Sequence, residues 1–218
     1  NSNTLRLDGF SSLRYYSGNG FFFSGSINDK TDMEFDENGN LTLFITYNWN
    51  SESQSFVPRV KVESSIDENG NQTLSIYYSW NSESQSFVPS WKTESTYDEN
   101  VNLTLTIGYS WDSESQSFVP SSKDEYTFDD SGNQTLSIYY NWNSESQSFV
   151  PESKYEYTFD ENGNQTLNID YNWNSESQSF VPSRKYEYTF DENGNQTLNI
   201  DYNWNSESQS FVPSWKYE

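Results

Sequence analysis

Tyr186-Glu187-Tyr188-Thr189-Phe190-Asp191-Glu192-Asn193-Gly194-Asn195-Gln196-Thr197-Leu198-Asn199-Ile200-Asp201-Tyr202-Asn203-Trp204 is the stretch whose reading decides the fold. Over Arg184–Phe190 the rings of Tyr186, Tyr188 and Phe190 fall on alternate positions, with Lys185, Glu187 and Thr189 between them. Over Thr197–Trp204, Leu198, Ile200, Tyr202 and Trp204 alternate with Thr197, Asn199, Asp201 and Asn203. A period of two, carried by aromatic and β-branched residues, is the pattern of a strand and not of a helix. The intervening Asn193-Gly194 pair is the strongest short signal for a hairpin, through a type I′ turn with positive φ at both central residues. The two strands are therefore expected to pair antiparallel, with all their aromatic residues on one face.

Working outward, the same text recurs every 31 residues. Trp49, Trp80, Trp111, Trp142, Trp173 and Trp204 mark the step, and so do Pro58, Pro89, Pro120, Pro151, Pro182 and Pro213, which are all the prolines of the chain. The block Ser-Glu-Ser-Gln-Ser-Phe-Val-Pro is identical in six copies. The polar run Asn205–Ser210, bracketed by Trp204 and Phe211, reads as a second hairpin loop, and Pro213 as the start of the next strand, near a position without a ladder partner. Two copies depart from the turn rule: Val101 follows Asn100 where glycine is expected, and Ser131-Gly132 replaces Asn-Gly. A strained or rearranged turn is expected at Val101.

Residues 1–30 do not fit the repeat, and residues 31–218 read as six tandem units, the last incomplete. The divergent segment is expected to cap the first repeat or to form a joint. The last unit stops at Tyr217-Glu218, midway through a strand, which implies an excerpt of a longer array or a neighbour supplied by another molecule.

The fold class expected is all-β: tandem 31-residue β-hairpin repeats forming a coiled antiparallel ribbon or a β-solenoid-like rod. In a ribbon each repeat advances about 9.6 Å, two strand spacings, whereas in a parallel solenoid identical residues stack about 4.8 Å apart. Asn-Gly turns favour hairpins, and stacked carboxylates would oppose a solenoid. A face made of rings cannot stay in water, so the ribbon is expected to roll up or to pair with another.

Composition bounds function. A net charge of −22 with 32% hydrophobic residues would suggest disorder, but 17 Tyr, 15 Phe and 8 Trp at regular positions supply large apolar groups for an ordered chain. The acidic balance disfavours nucleic acid and anionic membrane faces, which require basic patches. No apolar run is long enough to span a bilayer as a helix. Without Cys or His, thiolate metal sites and catalysis by those side chains are excluded. The remaining route is a carboxylate pair, but paired acids such as Asp129-Asp130 belong to the repeated turn, and a unique active site is not expected in a sequence that repeats itself.

The stretch Tyr186–Thr197, with an aromatic-Asp pair ahead of a Gly-Asn turn and a threonine, resembles the YD-repeat (Rhs-type) signature. The 31-residue unit resembles tandem repeats of secreted surface proteins of Bacteroidota-type bacteria. The resemblance covers residues 30–218 and implies antiparallel hairpins wound into a spiral sheet outside a cell. It brings no catalytic residue with it, and Phe190 stands where the signature has its second Tyr.

Six Asn-x-Thr triplets occur in register at Asn40, Asn71, Asn102, Asn133, Asn164 and Asn195. They are candidate glycosylation sites, although the turn and the strand start would use the same residues without sugar. The acidic turn Asp160–Asn164 resembles half of a calcium loop, but its glycine is misplaced and no bidentate glutamate follows. An Asx-type turn is expected there, and no metal or cofactor is implied. Trp91 and Trp215 stand at a position occupied by Ser122 or Arg184 elsewhere, so they are candidate exposed aromatics for stacking on sugars.

These features together lead to a non-enzymatic extracellular or cell-surface repeat protein, a stalk or filament subunit or adhesin. Its expected partners are copies of itself, head to tail, or further repeats of a longer parent chain. In that arrangement the N-terminal segment would complete the open edge of the next subunit. The alternative function is a multivalent carbohydrate-binding array.

Overall fold

The computed structural model of the chain describes residues 3–7 and 29–218, and every element among them is a β-strand. The strands are β1 (Asn3–Leu7), β2 (Asp29–Phe35), β3 (Leu41–Asn50), β4 (Ser55–Ile66), β5 (Gln72–Asn81), β6 (Ser86–Tyr97) and β7 (Leu103–Asp112). They continue as β8 (Ser117–Phe128), β9 (Gln134–Asn143), β10 (Ser148–Phe159), β11 (Gln165–Asn174), β12 (Ser179–Phe190), β13 (Gln196–Asn205) and β14 (Ser210–Tyr217). The chain forms two compact units, 1–94 with 109–119 and 95–108 with 120–218. Within each unit strands lie in chain order, antiparallel to their neighbours. The all-β hairpin-repeat fold is thus observed in its antiparallel form, and the parallel solenoid is not. Of the segment expected as a cap, residues 1–2 and 8–28 lie outside the described part, while β1 pairs with β2, Leu5 opposite Met33.

The Asp-Glu-Asn-Gly turn differs from the expected type I′. In the last full turn Gly194 N–H donates to the Asp191 carbonyl and Asp191 N–H to the Asn195 carbonyl. Gly194 has φ 79°, whereas Asn193 is not among the residues with positive φ. This is the three-residue hairpin loop, a helical-type turn closed by one left-handed residue and followed by a bulge. Asp191 organises it: its Oδ1 accepts the N–H groups of Asn193 and Asn195, and its Oδ2 accepts Asn195 Nδ2.

The bulge that follows resets the register. Phe190 faces Gln196 but Thr189 faces Leu198, leaving Thr197 as the extra residue. Its hydroxyl donates to the Thr189 carbonyl at 3.2 Å, and Thr42, Thr73, Thr104, Thr135 and Thr166 repeat the contact at 3.1–3.3 Å. A one-residue slip moves every later side chain to the other face. Tyr186 and Tyr188 accordingly face Asp201 and Asn199, while Lys185, Glu187 and Thr189 face Tyr202, Ile200 and Leu198.

The single aromatic face expected from alternation therefore does not form. One face carries Leu, Ile, Tyr and Trp of one strand beside Lys, Glu and Thr of the next; the other carries the remaining tyrosines beside Ser, Asn and Asp. Neither face is apolar enough to demand a cover. Within each unit, substantial contacts among the described residues join consecutive strands only. Val62, 2% exposed, is the one fully buried apolar side chain described.

The second hairpin loop also differs in detail. Strands such as β12 begin at Ser179, ahead of Pro182, and not after it. A bulge at Ser183 accommodates the proline: Pro182 faces Tyr171 and Arg184 faces Asp170. On the opposite side β13 reaches only as far as Arg184, so the missing Pro182 N–H deprives no ladder partner. The loop itself is held by its first residue, Asn174 Oδ1 accepting N–H groups from Glu176 and Ser177. The aromatic pair expected to flank it is present, with Trp173 and Phe180 edge to face at 5.1 Å.

Val101 adopts φ 69°, the strained conformation its sequence predicts, since a β-branched residue in the left-handed region is a true outlier. The left-handed conformation costs a non-glycine residue about 1–2 kcal/mol. Val101→Gly should therefore stabilise the protein by about 1 kcal/mol and raise its Tm by roughly 2–4 °C, measured by thermal denaturation; an unchanged or lower Tm would show that the turn is unstrained.

Candidate functional site

On the first face one arrangement is built again in each successive repeat. Lys61 of β4 places its Nζ 3.8 Å from the Tyr78 ring centre on β5 and 5.7 Å from that of Phe87 on β6. The same ammonium is 2.8 Å from Glu63 Oε1, and the other oxygen of Glu63 accepts the Tyr78 hydroxyl at 2.6 Å. Lys92, Lys123, Lys154 and Lys185 repeat the set with Tyr109, Tyr140, Tyr171 and Tyr202 at 3.9 Å. The bulge produces this grouping by bringing Lys185 opposite Tyr202.

Magnitudes decide what the cluster does. The Glu63 side chain is 44% exposed, and an ion pair so wet contributes about 0–1 kcal/mol. Lys61 is only 19% exposed, its stem lying along the rings, and a partly desolvated cation over a ring is worth between about 0.5 and 2 kcal/mol. The ring contact dominates and Glu63 orients it. Lys92 and Tyr109 hydrogen-bond Glu94 and hold its carboxyl below its usual 4.5. Burial, together with the bond to Glu94, pushes Tyr109 up to about 12.

Alternation had placed Lys and Glu on a hydrophilic face, away from the rings, so sequence reasoning missed this cluster. The available signal was internal: Lys-x-Glu is constant at 61/63, 92/94, 123/125, 154/156 and 185/187, while the preceding residue varies from Val60 through Trp91 and Ser122 to Arg184.

The six sequon residues occupy a defined structural position. Nδ2 of Asn40, Asn71, Asn102, Asn133, Asn164 and Asn195, the atom a glycan would use, donates to the turn aspartate. Asn71 is buried at 9% exposure. The paired threonine is the bulge residue, so asparagine and threonine are both engaged in fixing the hairpin. Trp91 and Trp215 are 44% and 52% exposed; Trp91 stacks on Tyr77 at 4.3 Å and Trp215 on Tyr217 at 6.2 Å. Trp49 is 43% exposed, and its five counterparts are half-buried, each edge to face with the phenylalanine across its hairpin.

On the second face of the 95–108 and 120–218 unit, Tyr126, Tyr139 and Tyr155 meet edge to face at 6.3 and 5.8 Å. Polar groups lie among them, and burial raises the Asp124 and Asp170 carboxyls above their usual range. Among the described residues no cluster of acidic side chains is suited to hold a metal ion.

No family model matches the chain, and no curated protein does. A Bacteroides fragilis protein of unknown function has a similar structure, with a TM-score of 0.50 and 20% identity over 59% of this chain and 91% of its own. A DUF3836 family protein from Bacteroides vulgatus gives a TM-score of 0.37 and 17% identity over 43% of this chain and 90% of its own. A Photorhabdus luminescens Tc holotoxin pore structure gives 0.40 and 13% identity over 87% of this chain but 11% of its own. The first likeness is one of fold; the other two are too distant to add to it. This chain is an all-β tandem-repeat protein.

Tyr171→Phe removes the hydroxyl that donates to Glu156 but keeps the ring beneath Lys154, whereas Tyr171→Leu removes both. The first should cost about 0.5–1 kcal/mol and the second about 1 kcal/mol more in chemical denaturation; equal losses would deny the ring its role. The lowered carboxyls of Glu94 and Glu187, each held chiefly by its lysine, also give a pH dependence. A carboxyl depressed in the folded state stabilises above its unfolded pKa, and that stability is lost as pH falls through the folded value. Tm should therefore fall with acidification below pH 4.5, and Glu94→Gln should blunt the fall.

Proposed function

We propose that the chain is a non-enzymatic, extracellular structural repeat protein of the YD-repeat-like kind, serving as a stalk or as the subunit of a cell-surface filament or adhesin. Copies of itself, or further repeats of a longer chain, extend it end to end. The observation that carries this reading is the repeated lysine cluster. Lys154, for instance, joins β10 to Tyr171 of β11 and Phe180 of β12, so each repeat is tied to the next by the same contacts. An array coupled only to its nearest neighbours lengthens by addition without needing a new core. Head-to-tail joints that do not close generate fibres, and main-chain strand addition is the natural joint for a sheet. The resemblance of residues 186–197 to YD-repeat text supports placement outside the cell.

Removing residues 134–164 excises one repeat in register. The remainder should keep its ellipticity per residue and melt at a lower temperature, and collapse of the whole chain would contradict nearest-neighbour coupling. Negative-stain electron microscopy of the purified chain should show end-to-end filaments; short monomers at all concentrations would sink self-assembly.

A further inference from the structure

The repeats can be compared with one another at a single position on the second face. In the β5–β6 pair, Tyr77 lies between Val62 and Trp91 in register, and the Trp91 ring covers it at 4.3 Å and 15°. The equivalent tyrosine of the β9–β10 pair is Tyr139, and its two register partners are Asp124 and Ser153. Where Trp91 stacks in one repeat, Ser153 leaves space in the other. An open depression of about 450 Å³ lies there, lined by Tyr139, Tyr155, Ser122, Asp124, Asn141 and Glu152 among others.

We propose that this depression is a binding subsite for a neutral pyranose, whose flat carbon–hydrogen face takes the place over Tyr139 that an indole takes over Tyr77. Three observations point to this chemistry. Tyr139 already packs edge to face with Tyr126 at 6.3 Å and with Tyr155 at 5.8 Å, so its ring is fixed before any ligand arrives. Around it stand carboxylate, amide and hydroxyl groups from three adjacent strands, the hydrogen-bonding set that ring hydroxyls require, alongside an apolar surface for stacking. Asp124 and Glu152 on the rim, in a chain of net charge −22, repel uronic acids and sulfated sugars. Burial lifts the Asp124 carboxyl, which favours its accepting a hydroxyl from a neutral ligand over facing another anion. Glu152 occupies the bulge position where Ser183 instead bonds back to the Asp170 carbonyl at 3.1 Å, so this bulge carries a longer polar arm than the serine bulges do.

The site is independent of end-to-end assembly. Its test is a panel of neutral hexose and N-acetylhexosamine oligosaccharides beside uronic and sulfated ones, followed by titration of any hit by ligand-observed NMR. At least one neutral glycan should bind, with a Kd on the order of 1 mM as befits a shallow single site. Ser153→Trp, which refills the depression as Trp91 does, and Tyr139→Ala should each weaken it at least tenfold, while Tyr139→Phe should leave it intact. All three variants should keep the wild-type circular dichroism spectrum. A blank neutral panel, binding of anionic glycans alone, or undiminished binding by a folded Ser153→Trp protein would overturn the proposal.

Discussion

One extra residue after each tight turn governs this structure. Because Thr197 is bulged out of the ladder, Thr189 lies opposite Leu198, and the lysine and glutamate of one strand are delivered to the rings of the next. Were the bulge absent, Tyr188 and Tyr186 would fall beside Leu198 and Ile200, giving one greasy face and one charged face. Such a sheet must find a cover. The bulge converts it into a sheet with two mixed faces, each able to remain against water. Asparagine and threonine of the Asn-x-Thr triplet hold the two halves of that device, the amide on the turn aspartate and the hydroxyl on the opposing carbonyl.

Stability then has to come from neighbours across the strands and not from a central core. With a single fully buried apolar side chain described, the ordinary account by interior area does not apply. Cross-strand pairs worth about 0.2–1 kcal/mol each, repeated at every step, take its place. The lysine stem covers a tyrosine ring, the ammonium satisfies a glutamate, and the glutamate accepts the tyrosine hydroxyl. Each group shields another, which explains how a chain with so much charge can order its aromatic residues.

The same repetition frames function. Contacts that recur unchanged build a scaffold, and the positions that vary between copies are where anything specific can be placed. The position occupied by Val60, Trp91, Ser122, Ser153, Arg184 and Trp215 is one that varies on the second face, from a hydroxyl to an indole. There the scaffold is filled by an indole in one repeat and left open in another. A constant framework with one substituted position is an economical way to put a binding site on a structural ribbon.

Much of this was legible in the sequence. The 31-residue step, the strand periodicity, the antiparallel hairpins, the Trp–Phe pair at the loop and the strain at Val101 all follow from local chemistry: alternation, turn residues and the steric intolerance of a β-branched side chain for positive φ. What the sequence left open was the phase between strands. Periodicity within a strand fixes which residues share a face but not which face of the next strand they join, and a bulge of one residue leaves no mark on either pattern. Only the paired structure decided that lysine and glutamate meet the rings, that the sequon residues are the turn's own fasteners, and that Ser153 opens a space over Tyr139. Each of these depends on register across the ladder, a relation between segments that no segment carries by itself.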